Sequence, residues 1–324
     1  MSNPTEYDVC VAGAGNAALC AAISAAESGA RVLVLERAPE SENGGNSRFT
    51  AGGIRFVYDG PEDLIDLCDL SDEEIRNAEF GSYSESEFFD DMFRVTEFRC
   101  DPDLVEVLVT KSRDTVRWLR GKGVRFIPMY GRQAFKIDGK FRFWGGLTVE
   151  ARGGGPGLVD METEIARQAG VEIRYGARVM ALRHDHGAVN GVVVRHNGVT
   201  SEIRSRAVVL ATGGFQANPE MRTRYLGPRS QLAKVRGTRF NTGAGIRMAL
   251  DIGAAPRGNW SGCHSVAWDM NAPEFGDLAV GDMFQKHSYP FSLVINKQGQ
   301  RFLDEGADFR NYTCLLYTSP SPRD

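Results

Sequence analysis

Gly13-x-Gly15-x-x-Ala18, followed by Glu36, is the set of residues in this chain whose types and spacing most directly prescribe chemistry. Gly13 permits a tight turn, Gly15 lets the backbone approach a pyrophosphate, and small Ala18 lets a helix pack closely on a strand. Phosphates then lie at the helix N-terminus, beside Asn16 and Ala17, where unpaired amide hydrogens and the helix dipole favour negative charge. Glu36 comes about 20 residues later, the interval at which a carboxylate accepts hydrogen bonds from a ribose. The elements that must position these groups are legible around them. Residues 9–12 read as a buried strand, the Ala-rich run that follows as a helix stopped by Gly29, and residues 31–35 as a second strand carrying Glu36 and Arg37 at its carboxyl end. A glycine fingerprint alone is weak evidence, but strand, helix, strand and acid in this order specify a dinucleotide site.

A second glycine-rich segment, Gly44-Gly45-Asn46-Ser47 through Gly52-Gly53, comes directly after the second strand. It reads as backbone laid flat against a planar ligand, where side chains would clash. Residues 60–123 read as helical, with a capping box at Ser84-x-x-Glu87 and an apolar helical run from Leu104 to Leu119. Gly153–Gly157 opens another helix that ends at Gly170. Then come a short strand at 171–175 and a β-rich stretch: strands at 179–182 and 189–194, a bulge at Gly191, a turn at Asn197-Gly198 and a strand at 201–204. Residues 207–211 return as a buried strand and end in Thr212-Gly213-Gly214. Asn218-Pro219 and Asn241–Gly245 start two more helices. A β-meander and a closing Thr-Gly-Gly strand around a helical insert fit a flavin-binding Rossmann variant better than a nicotinamide one.

The bulk numbers bound the class. At 324 residues the chain has room for two domains, and 42% hydrophobic with 25% charged residues is ordinary for a globular protein. A net charge of −4 leaves no footprint for nucleic acid or an anionic membrane. No apolar run approaches the ~18 residues of a membrane span, and residues 1–6 are too short and polar for a signal peptide, so the expectation is cytoplasmic. The six cysteines form no CxxC pair, which argues against zinc, iron–sulfur and c-type haem sites.

The motifs GAGNAALCAA, GGNS…AGG, GGGPGLV, VVLATGGF and NKQGQRFLDEGADFRNYT, in this order from about residue 7 to 313, resemble the fumarate reductase/succinate dehydrogenase flavoprotein family. They are most similar to its soluble branch of tricarballylate dehydrogenase and flavocytochrome fumarate reductases, with the run after Asn296 nearest the former. The resemblance implies an α/β fold, an FAD-binding Rossmann-like parallel sheet with β-meander, plus the start of an α+β capping domain. Residues 1–255 would form the FAD-binding part, with a helical insert at about 60–125, and 256–313 an incomplete cap. Gly13, Gly15 and Ala18 would hold the FAD pyrophosphate and Glu36 the ribose. Gly45, Asn46, Ser47, Gly52 and Gly53 would face the pyrophosphate and isoalloxazine. Val179 would set its backbone against the adenine, with Ala211, Thr212 and Gly213 beside it. Asn46 stands where the membrane enzymes carry a flavin-linked histidine, so the FAD is expected to be noncovalent.

The same resemblance implies hydride transfer between flavin and a small di- or tricarboxylate, with His264 binding a carboxylate and Arg310 moving the proton. Arg310 stands five residues past Glu305, one more than in the family, and residues 284–288 depart from its proton relay, leaving His287 as a substitute. Arg301 and Glu305 themselves read as a structural ion pair. An electron-transfer protein or a quinone would be the partner. The rivals are a ketosteroid-type flavin dehydrogenase, a flavin-bearing RNA-modification or binding module, and a redox carrier; acidic balance argues against the RNA module. Residues 314–324 continue no element and resemble translated adapter read-through, so the chain is expected to be a C-terminally truncated member that binds FAD weakly and does not turn over.

Overall fold

The computed structural model describes residues 6–143, 145–281 and 292–305. In chain order the elements are β1 (Glu6–Ala12), α1 (Asn16–Glu27), β2 (Val32–Leu35), β3 (Gly53–Ile54), α2 (Pro61–Cys68), α3 (Asp72–Asn77), β4 (Ala78–Glu79), α4 (Glu85–Val95) and α5 (Pro102–Lys122). There follow β5 (Phe126–Pro128), α6 (Tyr130–Gln133), β6 (Ala134–Ile137), β7 (Lys140–Phe143), β8 (Val149–Ala151), α7 (Gly154–Gln168) and β9 (Glu172–Arg174). The last are β10 (Ala177–Asp185), β11 (Ala188–His196), β12 (Val199–Leu210), α8 (Pro219–Leu226) and α9 (Ala244–Asp251).

The main sheet has the order β10-β11-β12-β1-β2-β9. β12, β1, β2 and β9 run parallel, and β10, β11 and β12 form an antiparallel meander at one side. Every residue of β2 is buried, as a parallel strand covered on both faces requires. β1 divides its side chains between two cores. Val11 packs with Leu19, Ile23 and Val159 of the α1–α7 layer, whereas Cys10 and Ala12 pack with Val179, Val194 and Met248 on the opposite face. The sheet is thus sandwiched, and the carboxyl ends of β1, β2 and β12 meet at one rim.

The two strands read separately at 201–204 and 207–211 form one strand, β12, which ends at Leu210. Its first half pairs with β11 and its second half with β1 on the opposite edge. Among the described residues nothing pairs with β12 beyond Arg204 on the β11 side. The meander turns tightly at Asn197-Gly198, both in the left-handed region, and its register shifts twice, once between Val179 and Ala181 and once beside Gly191, where Arg183 pairs with Gly191 and His184 with Val189.

The insert builds its own core from Phe56, Tyr58, Leu64, Phe80, Phe88, Val105, Val109, Val116 and Leu119. The capping box at Ser84 and Glu87 forms, and Gly123 closes α5. The buried stripe on α5 is narrower than its apolar run: Leu104 is 58% exposed and Leu108 44%, while buried Ser112 accepts a hydrogen bond from the Val57 amide at 3.0 Å. The insert also extends past residue 125 into two three-stranded sheets, β3-β8-β5 and β4-β7-β6. Of the run at 291–295, the described part makes a single bridge, Ile295 to Arg301.

Between α1 and α7 lies a fully buried carboxyl group. Glu162 reaches Cys20 Sγ at 3.6 Å through one oxygen, and its other oxygen has no partner. Burial pushes its pKa up from 4.5 to about 8. The native state therefore keeps a proton that the unfolded chain releases above pH of about 4.5, so stability falls as pH rises towards 8 and is flat beyond. The slope is about 1.4 kcal/mol per pH unit. We expect Glu162→Gln to remove this slope in urea unfolding across that range; a variant that loses stability with pH as steeply as the wild type would contradict it.

Candidate functional site

The rim where β1, β2 and β12 end surrounds an open cavity of about 220 Å³. A crevice at the carboxyl ends of parallel strands, at the point where the order reverses around β1, is where such sheets take ligands. Gly13 leaves β1 with φ +109°, and a Cβ there would be driven into the Ala211 carbonyl. The backbone must pass this close because Gly13 donates to Leu35 O at 2.9 Å while Ala211 donates to Ala12 O at 2.9 Å, stitching the three strand ends together. α1 then starts at Asn16 with no side-chain cap, and the Asn16 amide donates to Ser47 Oγ at 3.1 Å. The N-terminus of α1 opens on the cavity through Gly13 to Ala17.

Glu36 is 7% exposed. Its Oε2 accepts from the Ala14 amide at 2.7 Å and its Oε1 from the Ala38 amide at 2.7 Å. Burial raises its pKa, and the backbone amides that donate to it oppose that shift. The carboxylate is therefore fixed at the edge of the cavity, with lone pairs left to accept from hydroxyl groups. Its main chain is bonded to the start of β10: Ala177 donates to Glu36 O at 2.8 Å and Gly176 to Ala38 O at 2.9 Å.

Of the residues singled out in the sequence, the cavity brings together Gly13, Gly15, Asn16, Ala17, Glu36, Arg37, Gly45, Asn46, Ser47, Val179, Ala211, Thr212 and Gly213. Ala18 is fully buried behind them, in the packing role its size suggested. Gly52 and Gly53 lie elsewhere. Gly52, at φ +76°, packs on the Gly154 backbone, and Gly53 pairs with Glu150 in the insert. Asn46 Oδ1 accepts from the Thr238 amide at 3.0 Å. His264 is exposed in an irregular segment and does not line the cavity. Arg301 Nη2 binds Glu305 at 2.6 Å, and with the Val294 amide it holds the Glu305 pKa down at about 2. Arg310, His287 and residues 314–324 lie outside the described residues.

The lining also contains Glu42, Arg178, Thr238, Phe240, Asn241 and Met248. Sequence reading missed these as site residues. Asn241 to Gly245 showed only as a helix start, although Gly213 and Asn241 meet closely enough that a Cβ on Gly213 would strike the amide. Arg178 sat unremarked beside Val179.

A glycine-rich turn into a helix N-terminus, a buried acid at the end of the second strand and a meander whose closing strand returns to the same rim together define a dinucleotide-binding flavoprotein domain. A family profile for the FAD binding domain matches residues 8–317, and the chain belongs to that family. The cofactor is FAD. The probable fumarate reductase Ifc3 of Shewanella frigidimarina is 29% identical over 308 residues, 94% of this chain and 47% of that protein. The open form of a flavocytochrome c3 fumarate reductase superposes with a TM-score of 0.70 at 24% identity, covering 98% of this chain and 52% of that one. A 3-ketosteroid Δ1-dehydrogenase from Sterolibacterium denitrificans gives 0.74 at 19% identity, covering 96% and 66%. The chain spans about half the length of the fumarate reductases it matches.

The cavity fits FAD on its own geometry: the cradle at Gly13 and Gly15 admits no Cβ without contact against Ala211 or Gly44, and Glu36 waits as an anchored acceptor. Among the described residues no helix is long and apolar enough to cross a membrane.

Proposed function

We propose that the whole protein is an FAD-dependent oxidoreductase that transfers hydride between the flavin and a CH–CH or C=C bond of a small di- or tricarboxylate, of the fumarate or tricarballylate kind. The similarity to fumarate reductases across 94% of the chain carries this reading. Bound FAD supplies the hydride donor or acceptor. Gly13, Gly15 and the start of α1 hold its pyrophosphate, Glu36 its ribose, and Val179 with Ala211 to Gly213 flank it. Asn46, bonded to the Thr238 amide, gives no nucleophile for a flavin link, so the FAD is noncovalent. Acid precipitation of flavin-loaded protein is expected to leave the flavin in the supernatant; flavin in the pellet would contradict this.

His264 and Arg310 bind substrate carboxylate and move the proton in this reading. A guanidinium suits both tasks, since it pairs carboxylates bidentately and steadies developing negative charge. Loss of its proton demands a low-dielectric site and an outlet. Residues 256–313 are the start of a cap, the protein is cytoplasmic, and its electron partner is a redox protein or a quinone. Anaerobically reduced, FAD-loaded protein mixed with fumarate, cis-aconitate or an androstadienedione tests the substrate class. Reoxidation of the flavin by a carboxylate alone supports the proposal. Reoxidation by the steroid alone would favour the second reading, a ketosteroid-type dehydrogenase, to which the similarity in fold to such an enzyme points.

A further inference from the structure

The Cys20 thiol joins the buried acid between α1 and α7 to the cavity. It carries one hydrogen and has two acceptors in reach, Asn16 Oδ1 at 3.4 Å and Glu162 Oε1 at 3.6 Å. Asn16 opens α1 one helical turn before Cys20 and lines the cavity. Glu162 is fully buried, and its Oε2 has no partner among the described residues. Charged groups on the elements packed around the pair are engaged elsewhere: Glu27 with Lys122, Asp8 with Arg206, Arg48 with Asp160, and Glu150 beside Arg132. Among the described residues Cys20 is thus the titratable neighbour that acts on the Glu162 carboxyl.

The direction of these hydrogen bonds follows the proton on Glu162. A neutral carboxyl protonated at Oε1 donates to Cys20 Sγ, which leaves the thiol hydrogen for Asn16 Oδ1. Asn16 then keeps its carbonyl turned in and its Nδ2 hydrogens free for the cavity, where a helix start already favours an anion. Once the proton has gone to solvent, the carboxylate only accepts. It takes the thiol hydrogen, because a charge-assisted hydrogen bond is roughly twice as strong as a neutral one, and Asn16 Oδ1 loses its donor. We propose that Cys20 relays the protonation state of Glu162 to the Asn16 side chain, so that the start of α1 presents amide hydrogens to a phosphate while Glu162 is neutral and releases that side chain when Glu162 is charged. This rests on the FAD-site reading above and adds to it a positioning residue that touches no ligand. Burial holds the Glu162 pKa up at about 8, so the neutral state prevails at pH 7. FAD affinity is therefore full below that pKa and falls as pH rises through it.

The test is titration of the chain with FAD, followed by flavin fluorescence, and with adenosine, followed by calorimetry, each at pH 7 and pH 9. For the wild type, loss of one hydrogen bond to a charged group predicts FAD binding about tenfold weaker at pH 9. Adenosine carries no phosphate and should bind equally at both. Glu162→Gln, whose amide donates to Sγ at either pH, should hold the pH 7 affinity throughout. Cys20→Ala should bind FAD at the weaker level at both, and melting without ligand certifies the fold of each variant. A wild type that binds FAD equally at the two pH values, or a pH dependence that survives in either variant, would overturn the relay. So would equal weakening of FAD and adenosine at pH 9, which assigns Glu162 to the stability of the α1–α7 layer alone. A wild-type chain that bound neither ligand at pH 7 would remove the dinucleotide site itself, and the relay with it.

Discussion

Gly13→Val is expected to abolish nucleotide binding and to lower the melting temperature of the chain. The native φ of +109° at this position is open to glycine and strained for a β-branched residue, and a Cβ there meets the Ala211 carbonyl. Strain of this kind costs on the order of 1–3 kcal/mol, and the clash adds to it because Ala211 is itself tied to Ala12 O at 2.9 Å. The rim where β1 and β12 part must then open, which moves Thr212 and Gly213 away from the cavity. ADP titration and thermal unfolding report the two effects separately. A variant that bound ADP as the wild type does would show that the β1–α1 turn is not the phosphate cradle.

Glu36→Ala carries the second large effect, for a different physical reason. The carboxylate accepts from Ala14 and Ala38 in a buried position, so its removal strands two amide donors at about 1–3 kcal/mol each. It also removes the acceptor for the ribose hydroxyls. Hydrogen bonds to a charged group are worth about 1.5–3 kcal/mol, so ADP affinity is expected to fall roughly 10- to 150-fold. Glu36→Gln keeps one acceptor oxygen and should fall in between. Should Glu36→Ala bind ADP normally while melting lower, the acid would be a structural brace of the β2 terminus and nothing more.

The parts of this molecule that were legible in the sequence are those fixed by local rules. A strand–glycine–helix junction, the capping box at Ser84 and the tight turn at Asn197 each depend on a few adjacent residues, and each formed as read. The strands of two to four residues in the insert carry too few alternations to stand out from a loop, and β3, β5 and β8 arise only because distant segments meet. β12 looked like two strands because its neighbours change halfway along it, a fact of topology that periodicity cannot encode. The same holds at the site. Gly44 to Gly53 looked like one ligand-facing loop, yet Gly45 to Ser47 face the cavity while Gly52 packs on Gly154 of a helix a hundred residues away. Arg178 became visible only when β10 was seen bonded to Glu36 and Ala38.

The open edge of β12 is the other consequence of that topology. Ala207 is exposed and Val208 to Leu210 are only half-buried, and an open cavity of about 410 Å³ lined by Leu210, Ala249, Leu250 and Trp260 lies alongside. It shares Thr212 and Gly213 with the cavity at the ends of β1, β2 and β12, so anything that packs on this edge also bears on those two residues.

The claim on which the rest depends is that the cavity at the ends of β1, β2 and β12 binds FAD through its ADP half. Equilibrium titration of the purified chain with FAD, followed by displacement with ADP, measures it directly. One FAD per chain is expected, displaced by ADP at a single site and lost in Gly13→Val. Failure of ADP to displace bound FAD, or undiminished FAD binding by Gly13→Val, would contradict it.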